Sequence, residues 1–322
     1  MAHNIETIAY AHQAGSNNEA YQTPWHGLGV PVLNDLSPSQ MLEKAGLDWS
    51  VDRHPTFVNL DGKSVYTGKD VLVRSSDNSI LTHISEGWNP CQNETAFDFF
   101  TEFVASGDME MNTAGSLKKG KIVWALAKVK ESFSLFNGKD QVDSYLLFTN
   151  PHEYGKSIDI RFTAIRVVCN NTLTLALENK SDMVVRLNHS RQFDPELVKQ
   201  TLGIASNRLS TYKEAAEYLS KKPFTVETLK QYYEEVFPST SKDEQSEKLS
   251  RAAKLALENV NTQPGAELGE GTWWQAFNGV TFTVDHLLGR SDDTRLTNAW
   301  YGVNRQRKVD ALQKAIDYAN AA

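Results

Sequence analysis

The chain has 322 residues, 40% hydrophobic and 23% charged, with a formal net charge of -7. These values exclude a disordered or fibrous protein, support a large core, and predict about two domains. The acidic total also excludes attraction to polyanions through overall charge, leaving only a local basic patch for such a partner.

Two cysteines, Cys91 and Cys169, predict a reducing, cytoplasmic setting without a disulfide framework. The longest apolar runs, such as Ile122 to Ala127, fall far short of the ~20 residues that cross a bilayer. The N-terminal segment shows no basic stretch followed by an apolar block, so no secretory signal is expected.

The first forty residues, rich in Asn, Gln, Gly and His, read as an irregular arm in which Pro24 to Gly29 forms a tight loop anchored by Trp25. Ser37-Pro38-Ser39-Gln40 then combines a capping serine, proline at the first helical position and glutamine at the capping-box position. A short helix should run through Met41, Leu42 and Ala45 and stop at Gly46. From Trp49 to Ser85 four short strands are expected, broken at Asp61-Gly62, Gly68 and Asp77-Asn78, the last a hairpin turn. Asn93 can cap a helix with Phe97, Phe100 and Val104 on one face, ending near Gly107.

Four strands should follow, around Met109 to Gly115, Lys121 to Lys130, Gln141 to Asn150 and Ser157 to Val168. After Asn170 and Asn171 the pattern of Leu173, Leu175, Ala176 and Leu177 predicts a helix, and Met183 to Leu187 one further strand. From Asp194-Pro195 onward only helices are expected, on the spacing of Leu202 to Leu219, Val226 to Val236, Leu249 to Val260, Trp273 to Leu287 and Val309 to Ala319. The fold class is therefore α+β, a largely antiparallel sheet with packed helices, as domain 1–192, followed by a helical region, 193–322.

Gly115-Ser-Leu-Lys-Lys-Gly120-Lys121 imitates the start of a phosphate-binding P-loop. Ile122 stands where Ser or Thr is needed, and a strand follows where a helix is required. It reads as a lysine-bearing turn between strands. The eight histidines and two cysteines have no metal-binding spacing, so neither a metal nor another cofactor is expected. Cys169, with Arg166 or His189 as partner, and the Asp285-His286 pair are weighed as chemistry, but a buried thiol and a structural pair are the simpler readings. No carboxylate constellation or nucleophile elbow is present, and an enzyme is not the leading reading.

Basic residues accompany aromatics in two places. Lys118, Lys119, Lys121, Lys128 and Lys130 share a hairpin with Trp124, while Arg161, Phe162, Arg166, Arg186 and Arg191 border the strand that ends near Val168. Lysines and arginines follow phosphates as bases stack on rings, which is how single strands are held without sequence reading. Alternation nevertheless places Trp124 with Ile122 and Leu126 on an apolar face, as core. A further group, Arg290, Arg295, Arg305, Arg307, Lys308 and Lys314, surrounds the last helix.

Arg166 to Leu177 (RVVCNNTLTLAL), Gly271 to His286 (GTWWQAFNGVTFTVDH) and the segment from Leu296 to Lys308, together with the Pro24 to Gly29 loop, resemble the phage/plasmid-like proteins that carry domain of unknown function 932. The resemblance spans nearly the whole chain and implies a phage, prophage or plasmid setting; it supplies no catalytic residues. The order of strands and helix is also similar to the core of phage single-strand annealing proteins, a likeness of fold alone. The expected function is single-stranded DNA binding in recombination or replication by a homo-oligomer, with Lys118, Lys119, Lys121, Arg161 and Arg166 on phosphates. The alternative is a non-enzymatic assembly module whose Trp273, Phe277 and Val280 seam associates with another copy or a host protein.

Overall fold

The structure is a computed structural model and describes residues 5–11, 29–166, 171–174, 184–189, 206–239, 249–290 and 292–321. Trp25, Cys169, Arg191, the Asp194-Pro195 cap and most of the linker before Leu249 lie outside these residues.

A mixed α+β architecture is present, as expected. Its main sheet contains β1 (Ile5–Ala11), β2 (Val30–Val32), β6 (Met109–Leu117), β7 (Ile122–Leu135), β8 (Asp140–Pro151), β9 (Ile158–Arg166), β10 (Asn171–Thr174) and β11 (Val184–Leu187). The order is β10-β9-β8-β7-β6-β1-β2, with β11 also on β9, and every pairing is antiparallel except β1 with β2. A second sheet holds β3 (Val51–Leu60), β4 (Lys63–Arg74) and β5 (Ile80–Ile84). The helices are α1 (Pro38–Lys44), α2 (Asn93–Asp98), α3 (Thr101–Ala105), α4 (Ser206–Leu219), α5 (Val226–Val236), α6 (Arg251–Asn259), α7 (Trp273–Phe282), α8 (Asp292–Tyr301) and α9 (Val303–Ala321).

Local chemistry explains several boundaries. Ser37 and Gln40 form the expected reciprocal capping box of α1. Thr272 caps α7 by accepting from the Gln275 amide, and Ser250 caps α6. The Asp77-Asn78 turn joins β4 to β5 with Asn78 in the left-handed region (φ 58°).

Four expectations need correction. Ile5–Ala11 is a strand against β6, not part of an arm; Ile8 and Tyr10 point to one side of the sheet and Ala9 to the other. The two strands expected on either side of Gly68 are one strand, β4, which passes through that glycine at φ 75°. Gln92, rather than Asn93, occupies the cap position of α2, and the Asn93 side chain is used in a tertiary network. Asn171–Thr174 is a strand, not the start of a helix. Its residues pair with Thr163 to Arg166, covering backbone groups on a buried strand that a helix would leave without partners. Two of its four residues are β-branched threonines, which suit the extended form.

Strand alternation divides the core. Ala125, Val142, Leu146, Ile160 and Phe162 face the larger cluster, which takes in residues of α1, α2, α4 to α7 and α9. Ile122, Trp124, Leu126, Tyr145, Leu147 and Ile165 face the other side, where Ala299 and Trp300 of α8 cover them. Trp124 is thus core, as alternation predicted, with the Trp300 ring edge-on at 4.8 Å. Helix α7 is apolar around most of its circumference and all ten residues are buried.

Candidate nucleic-acid interface

Strand β9 is buried along its whole length, and its parity decides where each arginine goes. Arg166 faces the larger core. Its Nε and Nη2 donate to Asp140 of β8 at 2.7 and 2.8 Å, Nη2 also donates to the Gly265 carbonyl at 3.0 Å, and Trp274 Nε1 donates to the same carboxylate at 2.9 Å. Both ionic side chains are almost wholly inaccessible, at 4% and 0%. This is a bidentate internal pair that ties sheet to α7. Arg166 therefore does not stand on an open groove.

Arg161 faces the opposite side. Its Nε pairs with Asp159, its Nη1 donates to the Trp300 carbonyl at 3.2 Å, and its guanidinium lies over the Tyr301 ring at 5.9 Å. Asp159 is also approached by Arg186, its cross-strand partner on β11, at 3.8 Å. Arg186 is 66% exposed, so the cluster opens to solvent there. The half-buried Arg305, in the first turn of α9, belongs to the same group: its pKa is lowered by burial, and then by the positive charges of Arg161 and Arg186, against the single opposing charge of Asp159.

Among the described residues, Arg305 has no carboxylate within ion-pairing distance. A guanidinium in the first turn of a helix also opposes the helix dipole, and that turn contains no acidic residue. Among the described residues three arginines thus stand around one carboxylate, a surplus of positive charge at a half-buried place and the electrostatic condition for holding an anion. One turn further along α9, Lys308 is buried and donates to Asp285 at 2.7 Å; burial lowers its pKa and Asp285 opposes that shift.

The three lysines occupy the β6–β7 turn, as the P-loop comparison anticipated. Lys118, Lys119 and Gly120 have φ of 54°, 59° and 79°. Left-handed backbone at two successive lysines disfavours this turn, where Asn or Gly is the ordinary choice. Gly120 is required twice over, since a Cβ there would meet Arg74 Nη1 at 3.0 Å and the Trp49 ring at 3.3 Å. Lys118 lies 3.9 Å from Glu153, while Lys119 is exposed and Lys121 half-buried. Lys128, farther along β7, is neutralised by Asp143 at 2.8 Å.

The lysine turn and Arg186 lie toward the same end of the main sheet, because β7 starts where β8 ends, β9 starts and β11 ends. From β7 across β8 and β9 to β11 is three strand spacings, roughly 14 Å. The structure thus joins two basic groups that are remote in sequence, Arg161 with Arg186 and Arg305, and places the lysine turn toward the same end. Asp159 and Tyr301 complete the cluster; no periodicity pointed to them.

The other groups considered for chemistry have structural surroundings. His189 is buried, stacked on Trp88 at 4.1 Å, with Nδ1 donating to the Asn89 carbonyl at 2.9 Å. His286 packs on Phe282, and Asp285 holds Lys308. Among the described residues no group of three or more His, Cys, Asp or Glu is arranged to hold a metal, and no helix is long and apolar enough to cross a membrane. The Trp273, Phe277 and Val280 seam is inside the molecule, at 0%, 1% and 0% exposure, so it cannot be the association surface expected of it.

No curated protein and no solved structure matches the chain. A family match does extend over residues 80–312, which include Lys118, Lys119, Lys121, Arg161, Arg186 and Arg305. The chain belongs to the family described as Domain of unknown function (DUF932).

Proposed function

We propose that the protein binds single-stranded DNA, as an accessory of recombination or replication in a phage or plasmid. Arg186 and Arg305 hold one stretch of backbone, with Arg161 buried behind them on Asp159 and adding only its charge, and Lys118, Lys119 and Lys121 hold another. The observation that carries this reading is Arg305, a half-buried guanidinium beside two other arginines and one carboxylate. Arg166 has no part in it, because its charge is already spent on Asp140.

Such binding is driven by counterion release, and the logarithm of affinity falls linearly with the logarithm of salt concentration, by about 0.7 for each phosphate neutralised on a single strand. Fluorescence anisotropy with a labelled oligothymidylate across a salt series tests it. Affinity should fall steeply with salt, and Arg186→Ala with Arg305→Ala should weaken binding and flatten the slope. No binding at low salt, or binding indifferent to salt, overturns the proposal.

A second reading, self-association, rests on a different feature. Beyond their bases β3 and β4 form a ribbon that exposes Phe57, Val58, Leu60, Val65 and Tyr66 at 42 to 58%. Sedimentation velocity of the wild type against a Phe57→Ser, Tyr66→Ser variant decides it: a mass that does not change between them removes the ribbon from any assembly.

A further inference from the structure

The geometry points to Tyr154 as a stacking platform for a base, on the connection that runs from beside the lysine turn to the strand carrying Asp159 and Arg161. This inference rests on the nucleic-acid reading above and narrows it from a polyanion to a strand that carries bases. Among the described residues the exposed aromatic side chains are Phe57, Tyr66 and Tyr154. Phe57 and Tyr66 pack against each other at 5.9 Å on the outer part of the ribbon. Tyr154 is 52% exposed and lies on the connection from β8 to β9.

That connection is adjacent to both halves of the proposed path. Glu153 reaches Lys118 of the β6–β7 turn, and β9 begins four residues after Tyr154, with Asp159 and its partner Arg186 at the start of the strand. Lys156, exposed on the same turn, adds a further cation. The tyrosine is also held in place. Its amide donates to Thr82 Oγ1 at 3.3 Å, its hydroxyl lies 3.5 Å from Ser85 Oγ, the Lys156 amide donates to the Glu153 carbonyl at 3.2 Å, and Gly155 adopts φ 81° to close the turn. A ring fixed by its own backbone and half open to solvent loses little freedom when a base lies on it. Its place on the connection beside both groups of cations suits a single strand, which alternates charge contact with stacking.

The test compares an oligothymidylate with a base-free deoxyribose-phosphate oligomer of the same length, by anisotropy at one salt concentration. Wild type should prefer the base-bearing strand. Tyr154→Ala should weaken that binding roughly 5- to 150-fold, the range for removing one stacking ring, and leave the base-free oligomer unaffected. Tyr154→Trp should retain the preference, and unchanged thermal unfolding would show each variant folded. Equal affinity of wild type for the two oligomers, or a Tyr154→Ala variant that binds oligothymidylate as well as wild type, overturns the role of Tyr154 and leaves phosphate binding standing. Failure of wild type to bind either oligomer overturns the nucleic-acid reading itself.

Discussion

Arg161 and Arg166 stand on opposite faces of one strand: the first reaches Asp159 and the Trp300 carbonyl, the second Asp140 beneath Trp274. Five positions apart on a strand is an odd interval, so no twist of β9 brings both to one surface. The two arginines therefore differ in what their loss does.

Arg166→Ala leaves the fully buried Asp140 without its cation and should destabilise the protein by about 3–5 kcal/mol, the usual cost of breaking a buried pair. Urea unfolding measures it. Arg186→Ala, on an exposed side chain, should cost only about 0–1 kcal/mol, so any effect on DNA binding is separable from folding.

Arg305→Ala should act in the opposite sense to Arg166→Ala. It removes a half-buried cation from beside Arg161 and Arg186, so the cluster loses repulsion while its affinity for phosphate falls. Thermal unfolding at low salt should show the variant no less stable than wild type, with weaker DNA binding. A large loss of stability would assign Arg305 a structural role instead.

Two histidines predict how stability depends on pH. Asn93 donates its amide to the Leu47 and Trp49 carbonyls, so its oxygen accepts from His152 Nε2 at 2.8 Å. Burial lowers the His152 pKa to about 3, with repulsion from His189 adding to it, and burial lowers that of His189 as well. Above the ordinary histidine pKa of about 6.5 both rings are neutral in either state and contribute no pH dependence. Below it the unfolded chain takes up protons that the folded chain refuses, so His152 makes stability fall by up to about 1.4 kcal/mol per pH unit as pH drops from about 6.5 toward about 3, and His189 acts in the same direction. Urea midpoints at a series of pH values should show the fall, and His152→Gln should make it shallower.

Gly279 in the middle of α7 is required for space. A Cβ there would lie 2.3 Å from the hydroxyl of Tyr233, which is buried and donates to the Ala276 carbonyl at 3.0 Å. Gly279→Ala should cost about 1–3 kcal/mol despite the better helix propensity of alanine, and Tyr233→Phe should relieve part of that cost. A double-mutant cycle by chemical denaturation reads the coupling.

Much of the fold is legible in the sequence because its signals are local. The Ser37 and Gln40 capping box, the Asp77-Asn78 turn and the Lys118 to Lys121 turn each depend on a few adjacent residues, and each appears where those residues place it. Asn171–Thr174 misleads because Leu173 and Leu177 stand four apart, a spacing that suits a helix, while the deciding factor is the bare edge of β9, a tertiary fact. β1 is hidden for a similar reason, since its polar surroundings mask the alternation of Ile8, Ala9 and Tyr10. At the candidate site, the individual arginines are visible in the sequence. Their division is not: strand parity sends Arg166 inward, and the packing of α8 and α9 on the sheet brings Arg305 to Arg161.

The buried pair of Lys308 and Asp285 fixes the height and rotation of α9, and Arg305 lies on that helix three residues before Lys308. A one-residue deletion between Arg305 and Lys308 would keep Lys308 on Asp285 and turn Arg305 by about 100° around the helix, away from Arg161 and Asp159.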